Sequence, residues 1–532
     1  MTTHNDFGSS EKSNLLTSSR SPSQIIDSIG YGRFQIILTI LIGVSNLSDA
    51  MEMMILSLIG PILTCSSWKV STSSVASLTT VVFLAMSIGS PIWGFLTDNY
   101  GRRKVLVGSS ALLLLFGIAS ALSPSFIWLL IFRFFVGMLI SCMPQGITLL
   151  MEYLPSESRG RANIFLALIW ACGGSTTILI GRLCMYINAE YQWRVIVAMG
   201  AAPLLLFILF SCWIPESILY LIQMKQKSKA EEIINYMQKL NSSSSKGGYI
   251  SFDDPENEES RCISEDKVNH VLVVRFLKGF VSLVHPKRWK LTFLVWFQWL
   301  FVGITYYGMI LLSTELVRIW DQDCPKTSTN VRPLDSEKTV QNACIQLRAE
   351  DYFYIFWASL AEFPGGLLAL YAMDIIGRKN TFAVTASLFT LSLSFVLIGC
   401  SLSKTVLTIL LFIARGSCVA YGQCLTVYTP EVYPTHIRAL GVGAAFTFVR
   451  VGGMVTPYFS HVLVAYSWTL SIIVYSLFGL LLTLISFCLP LESKGLDMSS
   501  MDQETIKSKP GVEVGSPADR EEQCLLIASE NE

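Results

Sequence analysis

This sequence is short of charge. Asp, Glu, Lys and Arg make up 15% of its 532 residues, against roughly 25% in a soluble domain. Lys plus Arg and Asp plus Glu number 39 each, which leaves no surplus of positive charge for a phosphate backbone and excludes nucleic-acid binding. Histidine is scarce, with 5 residues, none at metal-ligand spacing, so no metal is expected. No Gly-rich loop precedes a Lys-Ser/Thr pair, which argues against ATP-driven work. No residue set suited to making or breaking covalent bonds is present, so neither an enzyme nor a cofactor is expected. The first 30 residues lack an apolar h-region, and a cleaved signal peptide is not expected.

What is abundant is apolar sequence, 52% of the chain, and it comes in runs. Segments of about 20 apolar residues cross ~30 Å of hydrocarbon at ~1.5 Å per residue. They fall near 34–63, 75–97, 105–123, 126–148, 161–186 and 192–214, then near 289–313, 352–373, 381–401, 405–427, 438–464 and 467–489. Lys and Arg collect after the even-numbered runs, as at Arg102-Arg103-Lys104, Arg159, Arg378-Lys379 and Arg438, and such short basic loops are cytosolic. The expected organisation is an all-α membrane protein of twelve transmembrane helices in two six-helix halves. It comprises a cytosolic tail 1–33, a first half 34–214, a cytosolic connector 215–288 with a surface helix at 228–240, a second half 289–489 and a cytosolic tail 490–532. Cys324 and Cys344 share the long external loop after the seventh run, where an oxidising space permits a disulfide; Cys65 is a competing partner.

The halves repeat. Asp98-x-x-Gly101-Arg102 returns as Asp374-x-x-Gly377-Arg378, and Glu152-x-x-Pro155-x-x-x-Arg159 as Glu431-x-x-Pro434-x-x-x-Arg438. Pro215-Glu216-Ser217 is echoed by Pro490-Leu491-Glu492-Ser493. A parallel six-plus-six repeat is the signature of a transporter whose site at the interface of the halves opens alternately to either side.

Gly94-Phe-Leu-Thr-Asp98-Asn-Tyr-Gly101-Arg102-Arg103-Lys104 resembles the loop motif of the major facilitator superfamily, and the likeness extends over all twelve runs. Asp49-Ala-Met-Glu52, Tyr428-Thr-Pro-Glu431-Val-Tyr-Pro434 and Leu410-Leu-Phe-Ile-Ala-Arg415 resemble the synaptic vesicle 2-related group within it. The resemblance implies a major facilitator fold and transport of a small organic ion, by proton coupling or by facilitation. The alternative is a non-transporting vesicle-membrane protein acting in trafficking or binding.

Gly94, Asp98, Gly101 and Arg102, with Asp374, Gly377 and Arg378, are expected to form a conformational latch. Gly94 and Gly101 permit close approach of backbone. Asp98 at a cytosolic helix end can bond the amino-terminal amides of a helix in the other half, where the helix dipole favours an anion.

Charges within the spans are costly, roughly 2.5–3.5 kcal/mol each at a helix centre, and mark function. Asp49 and Glu52 share one face of the first span, about 24 Å along the helix from Arg33, with Asn46 extending that face. Two carboxylates so close resist joint ionisation, which suits a proton or a cation. Arg450 lies about 18 Å above Arg438, near mid-membrane, facing an anionic substrate or balancing an intramembrane acid, and Glu362 at a similar depth is either the proton site or the partner of Arg450. Arg133 and Arg415 occupy comparable places in the two halves; the resemblance suggests coupling for Arg133, and a structural ion pair is an equal reading for both. Trp299 and Tyr306, two turns apart, share a face and with Tyr421 are expected to line a pocket for a flat or quaternary organic ion.

Both tails carry the form acidic-x-x-x-Leu-Leu, at Glu11 with Leu15-Leu16 and at Glu521 with Leu525-Leu526. This resembles sorting signals read by clathrin adaptors and points to a cytoplasmic vesicle or endosomal membrane, with the plasma membrane as the alternative. The expected partners are therefore an organic ion, protons, the lipid bilayer and clathrin adaptors.

Overall fold

A computed structural model describes residues 22–241, 283–284, 288–323, 346–401 and 403–493. Every regular element among them is helical, as a bilayer demands of segments whose backbone groups have no water to bond. The first half comprises α1 (Arg33–Thr64), α2 (Thr72–Tyr100), α3 (Arg102–Ala121), α4 (Phe126–Glu152), α5 (Ser156–Cys184) and α6 (Glu190–Trp213). The second comprises α7 (Trp289–Asp323), α8 (Ala349–Ile376), α9 (Arg378–Val396), α10 (Lys404–Val432), α11 (Leu440–Tyr466) and α12 (Trp468–Cys488).

Among the described residues 11 helices are long and apolar enough to cross a membrane. The remaining one, α9, is rich in Ser and Thr. Its hydroxyls turn back onto the helix, as in Thr381 to Gly377 O, Thr385 to Thr381 O and Thr390 to Ala386 O, so it packs between α10 and α12 with its polar groups satisfied. The surface helix runs Lys227–Asn241 and docks on the first half. Its Asn241 Oδ1 accepts the Phe34 amide at 3.0 Å, capping the start of α1.

The three repeated loops converge on one clasp in each half. Arg102 pairs with Glu152, which also accepts the Ser217 hydroxyl at 2.5 Å; Arg378 pairs with Glu431 at 2.9 Å, which accepts Ser493 at 2.6 Å. Glu216 accepts the Arg103 amide at 3.0 Å, and Glu492 the amides of Arg378 and Lys379 at 2.8 and 2.9 Å. Two carboxylates thus cap the amino termini of α3 and α9, where the unpaired amides and the dipole favour an anion, and both helices start about three residues before the apolar runs predict. Gly101 (φ +96°) and Gly377 (φ +85°) hold backbone conformations that disfavour a side chain, and a Cβ at Gly101 would lie 2.6 Å from Glu216 Oε2.

The anion at these helix ends is therefore a glutamate of the same half. Asp98 and Asp374 are exposed, and among the described residues neither bonds the other half. Gly94, expected to allow close approach, faces open space.

Candidate substrate site between the halves

α1 and α7 open the two halves at equivalent places and run through the middle of the molecule. In their apolar stretches 67% and 78% of residues are buried by protein, against 33% for α6. The halves meet where α2 packs on α11, α5 on α8 and α1 on α7. The first two are the same contact twice, since the repeat exchanges α2 with α8 and α5 with α11.

Most of the charged residues singled out in the spans gather here. Arg133 of α4 bonds Glu52 of α1 at 2.5 Å, their side chains 1% and 2% exposed. Arg415 of α10 bonds Glu362 of α8 through Nη2 and Nε at 2.7 and 2.9 Å, and the same Nη2 also reaches Met54 Sδ on α1 at 3.9 Å. Glu362 opens the second segment of α8, after an interruption at Ala361, where its charge suits the helix amino terminus. Pro364 lies within that first turn, where a missing amide costs nothing. Each half thus places a buried Arg–Glu pair near the seam. Arg133 Nε and Nη2, and Arg415 Nη1, are buried without a partner.

The two carboxylates of α1 are divided. Glu52 faces Arg133, whereas Asp49 is buried, with Oδ1 unpartnered, in electrostatic reach of Arg450 and Glu52. Arg450 is half-buried on α11. Its guanidinium bonds Tyr307 Oη at 3.3 Å and Met86 Sδ of α2 at 3.4 Å. Gly452, two residues on, lets α11 touch α7 backbone to backbone, a Cβ there lying 2.4 Å from Leu300 O. Asn46 is drawn aside, bonding Leu166 O of α5 at 2.9 Å.

Aromatic rings connect the charges. The ring of Tyr307 lies tilted against Phe83 of α2 at 4.5 Å and against Tyr306 at 5.3 Å. Tyr306 accepts a bond from Trp170 Nε1 of α5 at 2.9 Å and lies in reach of Glu362 and Arg415. A continuous polar and aromatic band therefore runs across the interface from Asp49 through Arg450, Tyr307 and Tyr306 to Glu362. Trp170 and Met54 had no distinguishing pattern in the sequence.

Two predicted lining residues are elsewhere. Trp299 bonds Thr429 Oγ1 at 2.9 Å, and Tyr421 hydrogen-bonds Gln298 and Ser486 at 2.9 and 3.2 Å. Both sit in the core of the second half, because α7 is enclosed on most sides and its Trp299 face meets α10.

Among the described residues, hydrogen bonds between the halves lie at mid-membrane or toward the face away from the basic loops. Besides Trp170–Tyr306 they include Ser175–Ser359 at 3.0 Å, Gln192–Tyr352 at 3.1 Å and Thr80 to Met454 O at 3.0 Å. Toward the cytosol a narrow cleft between α5 and α8, walled by Asn163, Gly366 and Gln423, reaches Glu362. Among the described residues the halves are thus bonded at one face and cleft toward the basic-loop face, which the sequence expects to be cytosolic.

Cys65 is disulfide-bonded. Cys324 and Cys344 lie outside the described residues, as do the tail motifs at Glu11, Leu15 and Leu16 and at Glu521, Leu525 and Leu526.

The sequence profile described as Major Facilitator Superfamily matches residues 42–318 and 353–509. The chain is 37% identical over 472 residues to the synaptic vesicle 2-related protein of Rattus norvegicus, covering 88% of this chain and 80% of that one. It is 30% identical over 491 residues to organic cation/carnitine transporter 7 of Arabidopsis thaliana, covering 88% and 94%. Among solved structures, the inward-open xylose transporter XylE from E. coli superposes with a TM-score of 0.63 at 15% identity, covering 88% of this chain and 99% of that one.

Proposed function

Because this multi-pass membrane protein belongs to the major facilitator superfamily, whose members are transporters rather than enzymes, we propose that it carries a small organic ion across the bilayer by alternating access. The observation that carries this reading is the unpartnered carboxylate oxygen of Asp49, buried at the seam of the halves and facing Arg450 and Tyr307. An isolated buried charge is costly, and here it is retained where a substrate that bridges the halves would bond it. An anion and a cation set among Phe83, Tyr306, Tyr307 and Trp170 suit an organic ion, its charged group on Asp49 or Arg450 and its apolar body on the rings. The printed name of the Arabidopsis relative agrees with that class.

Proton coupling falls to Asp49, since Glu52 and Glu362 are each held by an arginine. When the cytosolic side closes, Asp98 and Asp374 engage the opposite half as latches. The tail motifs at Leu15-Leu16 and Leu525-Leu526 direct the protein to vesicle or endosomal membranes through clathrin adaptors, and replacing all four leucines with Ala moves it to the cell surface. The decisive experiment loads proteoliposomes with a mixture of polar metabolites and compares intact protein with Asp49→Asn and Arg450→Gln. A metabolite that crosses only with the intact chain names the substrate; no crossing by any organic ion overturns the reading.

A further inference from the structure

The external closure holds a titratable group that the central site does not use. His461 sits in a five-residue π-helical turn, Tyr458–Val462, directly after Pro457 of α11. Such turns are rare and are often found at functional positions. The ring is 3% exposed. Its Nδ1 lies 3.0 Å from Glu315 Oε1 on α7, and the other oxygen of that carboxylate takes Arg318 Nε at 2.8 Å. Its Nε2 is buried with no partner.

What the ring presses on belongs to the other half. A Cβ on Gly60 of α1 would lie 3.3 Å from His461 Cε1 and 2.8 Å from Val75 of α2. Among the described residues the charged groups facing the ring come from α7, namely Glu315 and Arg318. α1 carries none between 53 and 64, and α2 none before Asp98. α12 brings only Tyr475, whose hydroxyl is engaged by Ser460 at 2.6 Å. Lys69, in the loop beyond, is exposed.

We propose that His461 is a proton-binding site of the external gate, and that a proton taken up there from the external or lumenal side opens the mouth between α11 and α1–α2. The neutral ring donates Nδ1–H to Glu315 and buries only a bare nitrogen lone pair at Nε2. The protonated ring carries a second, charged N–H at Nε2, which in the closed mouth is buried with no acceptor among the described residues. Opening gives that N–H to water while Glu315 still balances the charge. Acid therefore favours the open mouth.

This inference rests on alternating access, and one experiment separates the two. Full-length protein in nanodiscs, with its free cysteines replaced by Ser, carries spin labels at Ser73→Cys on α2 and Tyr466→Cys at the end of α11. The distance between them is measured from pH 7.5 to 5.5. The expected result is a lengthening as the pH falls through this range. His461→Gln holds the distance short throughout. Glu315→Gln, which keeps the histidine but removes its counter-charge, moves the midpoint to lower pH. Acid-driven lengthening that persists in His461→Gln, or a midpoint unmoved in Glu315→Gln, overturns the gate. A mouth that opens with Asp49→Asn but never with acid overturns the gate and leaves alternating access standing. A distance that no condition changes overturns both.

Discussion

Arg133 and Glu52 meet at 2.5 Å while each is almost wholly sealed from solvent, a pairing that joins α4 to α1 inside the first half. Removing one partner of a buried pair strands the other, at about 3–5 kcal/mol. Glu52→Gln is expected to destabilise the protein by that order, and the double change Glu52→Met with Arg133→Met to recover most of it without recovering transport. Thermal unfolding of the purified protein, set beside flux, checks both.

Asp49→Asn removes the one carboxylate of this cluster that lacks an arginine partner of its own. Its expected signature is flux that no longer follows a pH gradient, in a protein of near-normal stability. Glu362→Gln should instead lose stability, because it strands Arg415. Proteoliposome flux at several imposed gradients distinguishes the two.

The clasp glycines make a graded prediction. Gly101→Ala forces a side chain into a positive-φ conformation and against Glu216, whereas at Gly377 the nearest atoms of Glu492 lie 3.1 Å away. The backbone term alone is about 1–2 kcal/mol, so both variants lose stability and Gly101→Ala loses more. Chemical denaturation in detergent, or melting temperature, ranks them.

Trp170→Phe deletes the bond to Tyr306 and keeps a ring of similar shape. A neutral hydrogen bond contributes about 0.5–1.5 kcal/mol, so the population shifts up to roughly tenfold toward the externally open form. Asp98→Asn should shift it the other way, by weakening the cytosolic latch. Labelling of cysteines placed on either side of the seam reads out both.

The spans and the repeat were legible because each rests on local pattern, namely apolar runs and loop motifs that recur in register. The residues of the clasps were legible too, but not their partners. Glu216 and Glu492 take the helix-capping role that Asp98 was expected to fill, because the chain returns to its own half after six spans and the repeat does not state this. Helical spacing gave Trp299 and Tyr306 a common face, yet α7 is buried nearly all round, so that face meets α10 at one end and the seam at the other. Asp49 and Glu52 stand three residues apart, but their partners come from α11 and α4, and the rotation of those helices is a tertiary fact. A lone histidine near a helix end carries no signal until Glu315, 146 residues earlier, is found against it.

Among the described residues every salt bridge lies within one half, and besides the Arg450–Met86 and Arg415–Met54 contacts the seam is held by neutral bonds among Ser, Thr, Gln, Tyr and Trp. Four such bonds amount to about 2–6 kcal/mol in all, whereas a two-state balance is reversed from 1:99 to 99:1 by about 5.5 kcal/mol of differential binding. Stiffness is thus confined to the halves and softness to the joint, on an energy scale that one bound ion or one proton can match. Replacing the seam's hydroxyls with charged pairs would make a sturdier molecule and a motionless one.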